Sequence, residues 1–499
     1  MGEDLVQRQY WPTLVYGQNY LLSPTPYLYA FWRLLLPGAA PALALALAGS
    51  LFSIGGLALV LAAFRRTQRT AGGGVFWPAL AVALLAAGNV TFLVDHAKNS
   101  GVELSLFLIG LLLWAGSRIE ARPRGADWLL LGAATGFAAL SRLQMIFYGL
   151  PLLGLLLIRE WRRAGFRPAA AGAALAVLGM AIGYAPLLAH RFWRADNWPS
   201  PFELPLTLGT GEQIIRSWKV TLNDILPGIF GIRPEMTLKP LRYLLWAVAV
   251  LPAYGWALWK KPARTSMLDH ALVLGSLAIL AALVLVPSLS RDGEQRRYAL
   301  TVFIAGIWLC GRFWPAPGWR NAAAVALGAG LLAAAVPRWE ARLEKSRLAD
   351  QRLREARALL VPELASQGAV ILANYWDASL LQFLSDGRLP VEALPWGAVR
   401  TYGRVERAAF ERRTLWLALQ GRERELTERL RGEAGAAAPA RIPLQNRFQG
   451  KSGELWEFPD RTLGARLMER SHPLYFRTPY PPGSGPIGPV AIRTPSEAQ

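Results

Sequence analysis

Long apolar runs dominate the first two thirds of the chain, at roughly 40–64, 76–94, 102–116, 128–158, 168–189, 241–259, 269–288, 297–313 and 320–337. Most approach the about 20 residues that a helix needs to cross hydrocarbon. Tracts such as PALALALAGSLFSIGGLALVLAAF (41–64) and NAAAVALGAGLLAAAV (321–336) carry no charge at all. The pattern predicts a polytopic bundle of membrane helices. Two runs depart from it. The run 102–116 is short for a crossing, and 128–158 is too long for one and is interrupted by Ser141 and Arg142.

The polar stretches between the runs decide how they alternate. RRTQR (65–69), SRIEARPR (117–124), REWRRAGFR (159–167), KKPAR (260–264) and GRFWPAPGWR (311–320) are the basic loops, and the positive-inside rule assigns them to the cytoplasm. Both flanks of 128–158 then lie on one side, so this run is expected to be two short helices meeting at Arg142 near the outer face. With that split the chain makes ten crossings and both ends are external. The segments 1–39, 95–101, 190–240 and 288–296 face outward, and 190–240, rich in Trp, Pro and Gly, is expected to lie along the interface as amphipathic helices.

From about 338 the texture changes. RWEARLEKSRLADQRLREARALL (338–360) reads as a charged amphipathic connecting helix. AVILANYW (369–376) reads as strand into helix, RRTLWLALQ (412–420) and GELWEFPD (453–460) as strands, and GEAGAAAPARIP (432–443) as a loop. The expected architecture is an all-α polytopic membrane bundle over 40–337 with a small C-terminal α/β extracytoplasmic domain at 361–465. A first external segment (1–39) precedes the bundle and an irregular tail (466–499) ends the chain. No internal repeat is visible, which argues against a transporter or flippase built from paired halves.

Composition narrows the chemistry. Of 499 residues 53% are hydrophobic and only 18% charged, below the quarter usual for soluble proteins. The formal charge of +20 resides in Arg of short loops, where topology calls for it, so it does not indicate nucleic acid. Cys310 is the only cysteine and the four histidines are dispersed. That excludes a disulfide framework and thiolate or HExxH metal sites. MGEDLVQRQYWP lacks the basic-then-apolar pattern of a signal peptide. No metal and no cofactor is implied.

Several residues could carry chemistry. Arg142 lies between two apolar half-helices, where a cation is costly unless paired, functional or snorkelling to headgroups. Arg191, Arg296 and Arg297 lie at membrane edges, where interfacial anchoring competes with anion binding. Glu103 opens an apolar helix, where it is either a site carboxylate or a stabiliser of the helix N-terminus. Asp95 sits beside His96 and Lys98, where a solvated loop acid is the plainer reading. Asn374, Tyr375, Trp376 and Asp377 fit an acceptor surface or ordinary core and capping roles.

The first external segment contains YGQNYLLSPTPYLYAFWRLLLPG (16–38). Here Pro12, Gly17, Gln18 and Tyr20, followed by Tyr27, Tyr29 and Phe31, resemble the bacterial GT-C superfamily of membrane glycosyltransferases, akin to the dolichyl-phosphate-mannose–protein mannosyltransferases (glycosyltransferase family 39-like). In that family a Pro and then GQ-x-Y precede a tyrosine-rich helix. NSGVELSLFL (99–108) is similar to the family's Gly-x-x-Glu, QRRYAL (295–300) to its Arg-Tyr motif, and NYWDASLLQFLSDGR (374–388) to its Tyr-Trp-x-Ala…Phe-Leu-Ser segment. The resemblance thus runs in order along nearly the whole chain.

The resemblance implies transfer, of inverting type, of a sugar from a polyprenyl-phosphate-linked donor. The acceptor would be a glycan, lipid or protein hydroxyl on the outer face of a bacterial inner membrane. Such a reaction needs a carboxylate base for the acceptor proton and cations or donors for the leaving phosphate. The expected phosphate holders are Arg142, Arg297, Arg191 and Arg296. The expected carboxylates are Glu103, Asp4 and Asp95, with Gln18 and Tyr20 in the substrate loop. One departure matters: the family's catalytic acid lies further upstream of the Gly-Gln pair than this chain reaches. The comparison therefore implies that the first membrane helix and the usual acid are missing, and that the family's later acid is replaced by Thr25 or Pro26. The rival expectation is a truncated, non-catalytic membrane protein that binds lipid-glycan.

Overall fold

In the computed structural model the described residues are 25–37, 41–70, 102–193, 208–225, 265–287, 296–313, 351–385, 388–393, 405–421, 438–448 and 451–471, with single positions between 326 and 349. The membrane part contains α1 (Thr25–Leu35), α2 (Pro41–Thr70), α3 (Val102–Ala121), α4 (Gly125–Ser141), α5 (Ile146–Ala164), α6 (Phe166–Trp193), α7 (Gly211–Val220), α8 (Met267–Leu285) and α9 (Arg296–Phe313). Among the described residues four helices are long and apolar enough to cross a membrane: α2, α3, α6 and α8. The expected crossings at 76–94, 241–259 and 320–337 lie outside the described residues, apart from single positions.

Two sequence expectations meet the structure here. The run read as too long is indeed two helices, α4 and α5, parted at Arg142, whose φ of −153° and ψ of 96° leave the helical region. A 3₁₀ turn over Leu143–Met145 joins them. The run read as short is, by contrast, a helix of 20 residues. It continues through Ser117 to Ala121 because its polar groups find partners: Ser117 Oγ donates to Trp114 O at 2.7 Å, and Arg118 Nε donates to Asp127 of α4.

Contacts between helices fix their directions. Arg118 of α3 meets Asp127 near the start of α4. Glu120 of α3 meets Arg159 near the end of α5 at 2.9 Å and accepts from Met267 N, the first residue of α8, at 3.0 Å. Asp269 of α8 pairs with Arg312 in the last turn of α9, and Arg312 also donates to Thr67 O near the end of α2. One end of the bundle therefore gathers the ends of α2, α3, α5 and α9 and the starts of α4 and α8. This end adjoins the basic stretches at 65–69, 117–124 and 159–167. Helices α2 and α3 run in the same direction.

Glycine sets the closest helix contact. α4 carries Gly132 and Gly136, and α6 carries Gly179 and Gly183, each pair spaced as small-xxx-small. A Cβ at Gly132 would lie 2.0 Å from Ala176 O, and one at Gly179 would lie 2.1 Å from Leu129 O. Only bare backbone allows this approach, which maximises dispersion where lipid offers no hydrophobic drive. The matched pairs, 132 with 176 and 136 with 180, make α4 and α6 parallel.

The C-terminal domain is a five-stranded sheet in the order β2-β1-β3-β5-β4. Its strands are β1 (Val370–Ala373), β2 (Val391–Ala393), β3 (Thr414–Leu419), β4 (Ala440–Pro443) and β5 (Gly453–Glu457). β1 pairs in parallel with β2 and β3, whereas β5 pairs antiparallel with β3 and β4. Helix α11 (Tyr375–Leu384) and the turn leading into α10 (Val361–Ala365) cover one face with Ala356, Leu360, Leu364 and Leu381. The other face holds Phe410 of α12 (Arg407–Arg412) and Leu467 and Met468 of α13 (Leu463–Ser471), packed on Trp416 and Trp456. Both faces are buried, so β3 reads as a continuous apolar run rather than an alternating one.

The expected α/β domain is present, with two differences. The end of the segment read as a loop, 432–443, is β4, because Arg441 and Ile442 find backbone partners along β5. The packed core also extends on both sides of 361–465, from Ala356 to Met468, since α13 covers an apolar sheet face that would otherwise meet water.

Candidate functional site

The bundle end opposite the basic loops holds the features from which a site can be built. Ser141 is fully buried at the last turn of α4, and Arg142, half-buried, closes that helix by donating its N–H to Ala138 O at 2.7 Å. Met145 N donates back to Arg142 O at 2.8 Å. A cation is thus held at the junction of a helix C-terminus and the next helix N-terminus. Broken helices at membrane depth persist only where protein buries them or a wet cavity accommodates them.

Three helices are tied together just beyond this break. Tyr148, in the first turn of α5 and 2% exposed, hydrogen-bonds through its phenol to Thr301 Oγ1 of α9 at 3.2 Å and to Ser276 Oγ of α8 at 3.3 Å. Pro151 cannot donate to the carbonyl of Phe147, and that carbonyl faces Gly275, where a Cβ would come within 2.7 Å. A Cβ there would also meet the Tyr148 ring at 2.4 Å. Thr301 lies four residues after Arg297, so the start of α9 stands about 6 Å further toward this end.

A segment outside the long helices covers the same end. Gly209 N donates to Leu285 O, the last residue of α8, at 3.0 Å. Thr210 and Gln213 then form a capping box that starts α7, satisfying orphan amides at the helix N-terminus. Ser217, Thr221 and Ile225 are buried on one side of this segment, whereas Leu208, Ile215 and Trp218 are exposed. Arg216 and Lys219 lie among them. An amphipathic helix, as expected within 190–240, is present here as α7, with its exposed apolar residues beside cations. The hydroxyls of Ser141 and Thr221 are buried without a hydrogen-bond partner among the described residues.

The expected site residues distribute as follows. Arg142 caps α4 at this end. Arg296 and Arg297 are the first two residues of α9, Arg191 lies in the last turn of α6, and Glu103 is the second residue of α3. Helix directions bring all five to the same end of the bundle. α6 runs parallel to α4 but continues past it, so Arg191 stands beyond Arg142. Asp4, Asp95, Gln18 and Tyr20 lie outside the described residues. In the C-terminal domain Asn374 Oδ1 accepts from Asp377 N at 3.1 Å and Asp377 is buried, which is the capping arrangement. Tyr375 and Trp376 open α11.

Sequence reasoning missed the Tyr148–Ser276–Thr301 cluster and the opposite polar cluster. At the basic end Asp269 is fully buried. It accepts from Trp308 Nε1 at 2.7 Å, and Arg312, 2% exposed in its side chain, pairs with it at 3.2 Å. The available signal was an acid inside an apolar run. Nothing in a single sequence, however, identifies a partner 43 residues away, or the hydroxyl partners 128 and 153 residues from Tyr148.

The comparisons agree with this architecture. The family model of the dolichyl-phosphate-mannose-protein mannosyltransferases matches residues 26–190, from α1 through most of α6. A search of curated proteins finds no match. Among solved structures the chain is similar to ArnT from Cupriavidus metallidurans, crystallised with undecaprenyl phosphate bound. The TM-score is 0.55 at 15% identity, over 91% of this chain and 92% of that one. The expected resemblance to GT-C membrane glycosyltransferases is borne out by the family match, and the fold is ArnT-like over nearly its whole length.

Proposed function

We propose that this protein transfers a sugar from a polyprenyl-phosphate-linked donor to a glycan, lipid or protein hydroxyl at the outer face of a bacterial inner membrane. The observation that carries this reading is that the helix positions of Arg142, Arg191, Arg296, Arg297 and Glu103 fall at the one bundle end remote from the basic loops, the end of α8 to which the amphipathic segment 208–225 is tied. By the positive-inside rule that end faces outward. The undecaprenyl phosphate held by the ArnT of similar fold supports a donor lipid of the same class.

In the proposed reaction the acceptor hydroxyl attacks the anomeric carbon while the bond from that carbon to the phosphate oxygen breaks. Glu103 takes the hydroxyl proton, with Asp4 and then Asp95 as the other candidate bases. The lipid phosphate leaves as an anion held by Arg142 and Arg297, with Arg191 and Arg296 behind them. Guanidinium groups suit this task because they stay charged and offer paired donors to phosphate oxygens. Gln18 and Tyr20 would line the substrate loop, and the C-terminal domain would be extracytoplasmic.

The test is transfer of radiolabelled sugar from polyprenyl-phosphate donors to membrane extract by the purified chain, beside Arg142→Gln and Glu103→Gln. Loss of about 100-fold or more in either variant, the scale of removing an electrostatic stabiliser or a general base, supports these roles. Full activity in Glu103→Gln transfers the base to Asp4 or Asp95. Binding of the lipid without transfer by the wild type would replace the enzyme reading with that of a lipid-glycan binder.

A further inference from the structure

We propose that Tyr148 is a positioning residue for the lipid-phosphate site. Its phenol would hold Arg142 and Arg297 at a fixed separation by tying the start of α5 to α8 and α9. This rests on the functional reading above and adds to it a residue that touches no substrate.

The argument begins with cost. Three hydroxyls in an apolar core gain little net stability, because a network satisfied internally is nearly equivalent to an apolar packing of the same shape. What directional bonds add is a single geometry. Tyr148 OH reaches Thr301 Oγ1 at 3.2 Å and Ser276 Oγ at 3.3 Å, and the close backbone at Gly275 presses α8 against the Tyr148 ring. The three helices can meet in only one register there.

Placement then gives the bonds their consequence. Along the chain Tyr148 follows Arg142 through the 3₁₀ turn Leu143–Met145, and Thr301 follows Arg297 by one helical turn. α9 is pinned a second time at its far end, where Arg312 and Trp308 bind Asp269. The two pins, at Thr301 and Arg312, are eleven residues apart, or about 16 Å. Val302, Phe303, Ile304 and Ala305 still pack in the core between the pins, so removing the near pin frees only the first turn of α9, which carries Arg297, to shift. Reactive geometry tolerates little such movement, since a displacement of about 1 Å can cost 100-fold.

The experiment measures binding of undecaprenyl phosphate to the full chain in nanodiscs, for wild type, Tyr148→Phe, Thr301→Val, Arg297→Gln and the double variant Tyr148→Phe/Arg297→Gln. Thermal unfolding is followed in parallel. The expected result is about three- to tenfold weaker binding by Tyr148→Phe and equally by Thr301→Val, with little change in unfolding temperature. In the Arg297→Gln background Tyr148→Phe should weaken binding little further, because the pair of cations whose separation it fixes is already broken. A purely structural tyrosine would lower the unfolding temperature with affinity unchanged, or its effect would add fully to that of Arg297→Gln; either result overturns the proposal. If the wild-type chain binds no undecaprenyl phosphate, the functional reading falls and this inference falls with it.

Discussion

Replacing Gly179 by alanine tests the contact that orients the candidate site. The helix interior by itself favours the change, by roughly 1 kcal/mol, because alanine loses less backbone entropy. Packing opposes it: the added methyl would lie 2.1 Å from Leu129 O and 2.8 Å from Ala133 N, and both obstacles are backbone atoms of α4. Real Cβ atoms essentially never approach closer than 3.0 Å, so α4 and α6 must part by about 0.9 Å. Overpacking of this kind costs about 1–3 kcal/mol, and the separation also forfeits dispersion along the neighbouring Gly132, Gly136 and Gly183 contacts. The net expectation is destabilisation of about 1–2 kcal/mol. Gly154→Ala in α5 is the matched control, since its methyl would meet nothing within 4 Å; it should leave stability unchanged or raise it by up to roughly 1 kcal/mol. The assay is thermal unfolding of both variants in the same detergent. Because α4 ends at Arg142 and α6 carries Arg191, Gly179→Ala should also weaken the sugar transfer proposed above. If Gly179→Ala and Gly154→Ala melt alike, the close approach of α4 and α6 is refuted.

Other predictions concern the buried charges and the C-terminal domain. Asp269→Ala leaves Arg312 charged and buried, and should destabilise the bundle by about 3–5 kcal/mol, whereas Asp269→Leu/Arg312→Met together should recover most of that loss; unfolding temperatures of the three forms decide. Trp416→Ala should cost the C-terminal domain about 3–5 kcal/mol, since Trp416 is 1% exposed between β3 and α13, read as lost hydrogen-exchange protection in β3 and β5. Arg413 donates twice to Glu457, at 3.0 and 2.8 Å, and these bonds hold the Glu457 carboxyl below its ordinary value. The folded domain therefore binds this proton less readily than the unfolded chain. The stabilisation is complete above about pH 4.3, the unperturbed glutamate value, and is lost as pH falls through the lower folded value. Glu457→Gln should flatten that part of the stability profile, measured as exchange protection corrected for intrinsic pH dependence.

The class of the protein, the break at Arg142 and the strands β1, β3 and β5 were legible in the amino-acid sequence, because each depends on neighbours along the chain. An apolar run long enough to span hydrocarbon declares itself by composition, and the basic loops order the crossings by charge alone. A cation between two apolar halves, as at Arg142, marks a break without reference to any other helix. The true end of α3 was not legible, since Arg118 and Glu120 look like loop residues until Asp127, Arg159 and Met267 N receive them. β4 was hidden for a similar reason: ARIP becomes a strand only because β5 supplies its ladder.

Which residues share a place was decided by tertiary structure. Tyr148, Ser276 and Thr301 are each an isolated hydroxyl in an apolar run, and Gly132 and Gly179 are each one glycine among many in this chain. Their meaning arises when packing sets α4 beside α6 and brings α5, α8 and α9 together, since hydrogen bonds and close contacts depend on distances of a few ångströms that no local pattern specifies. Local pattern is fixed by the solvent each residue must face; pairing is fixed by the one arrangement in which all the buried faces fit at once.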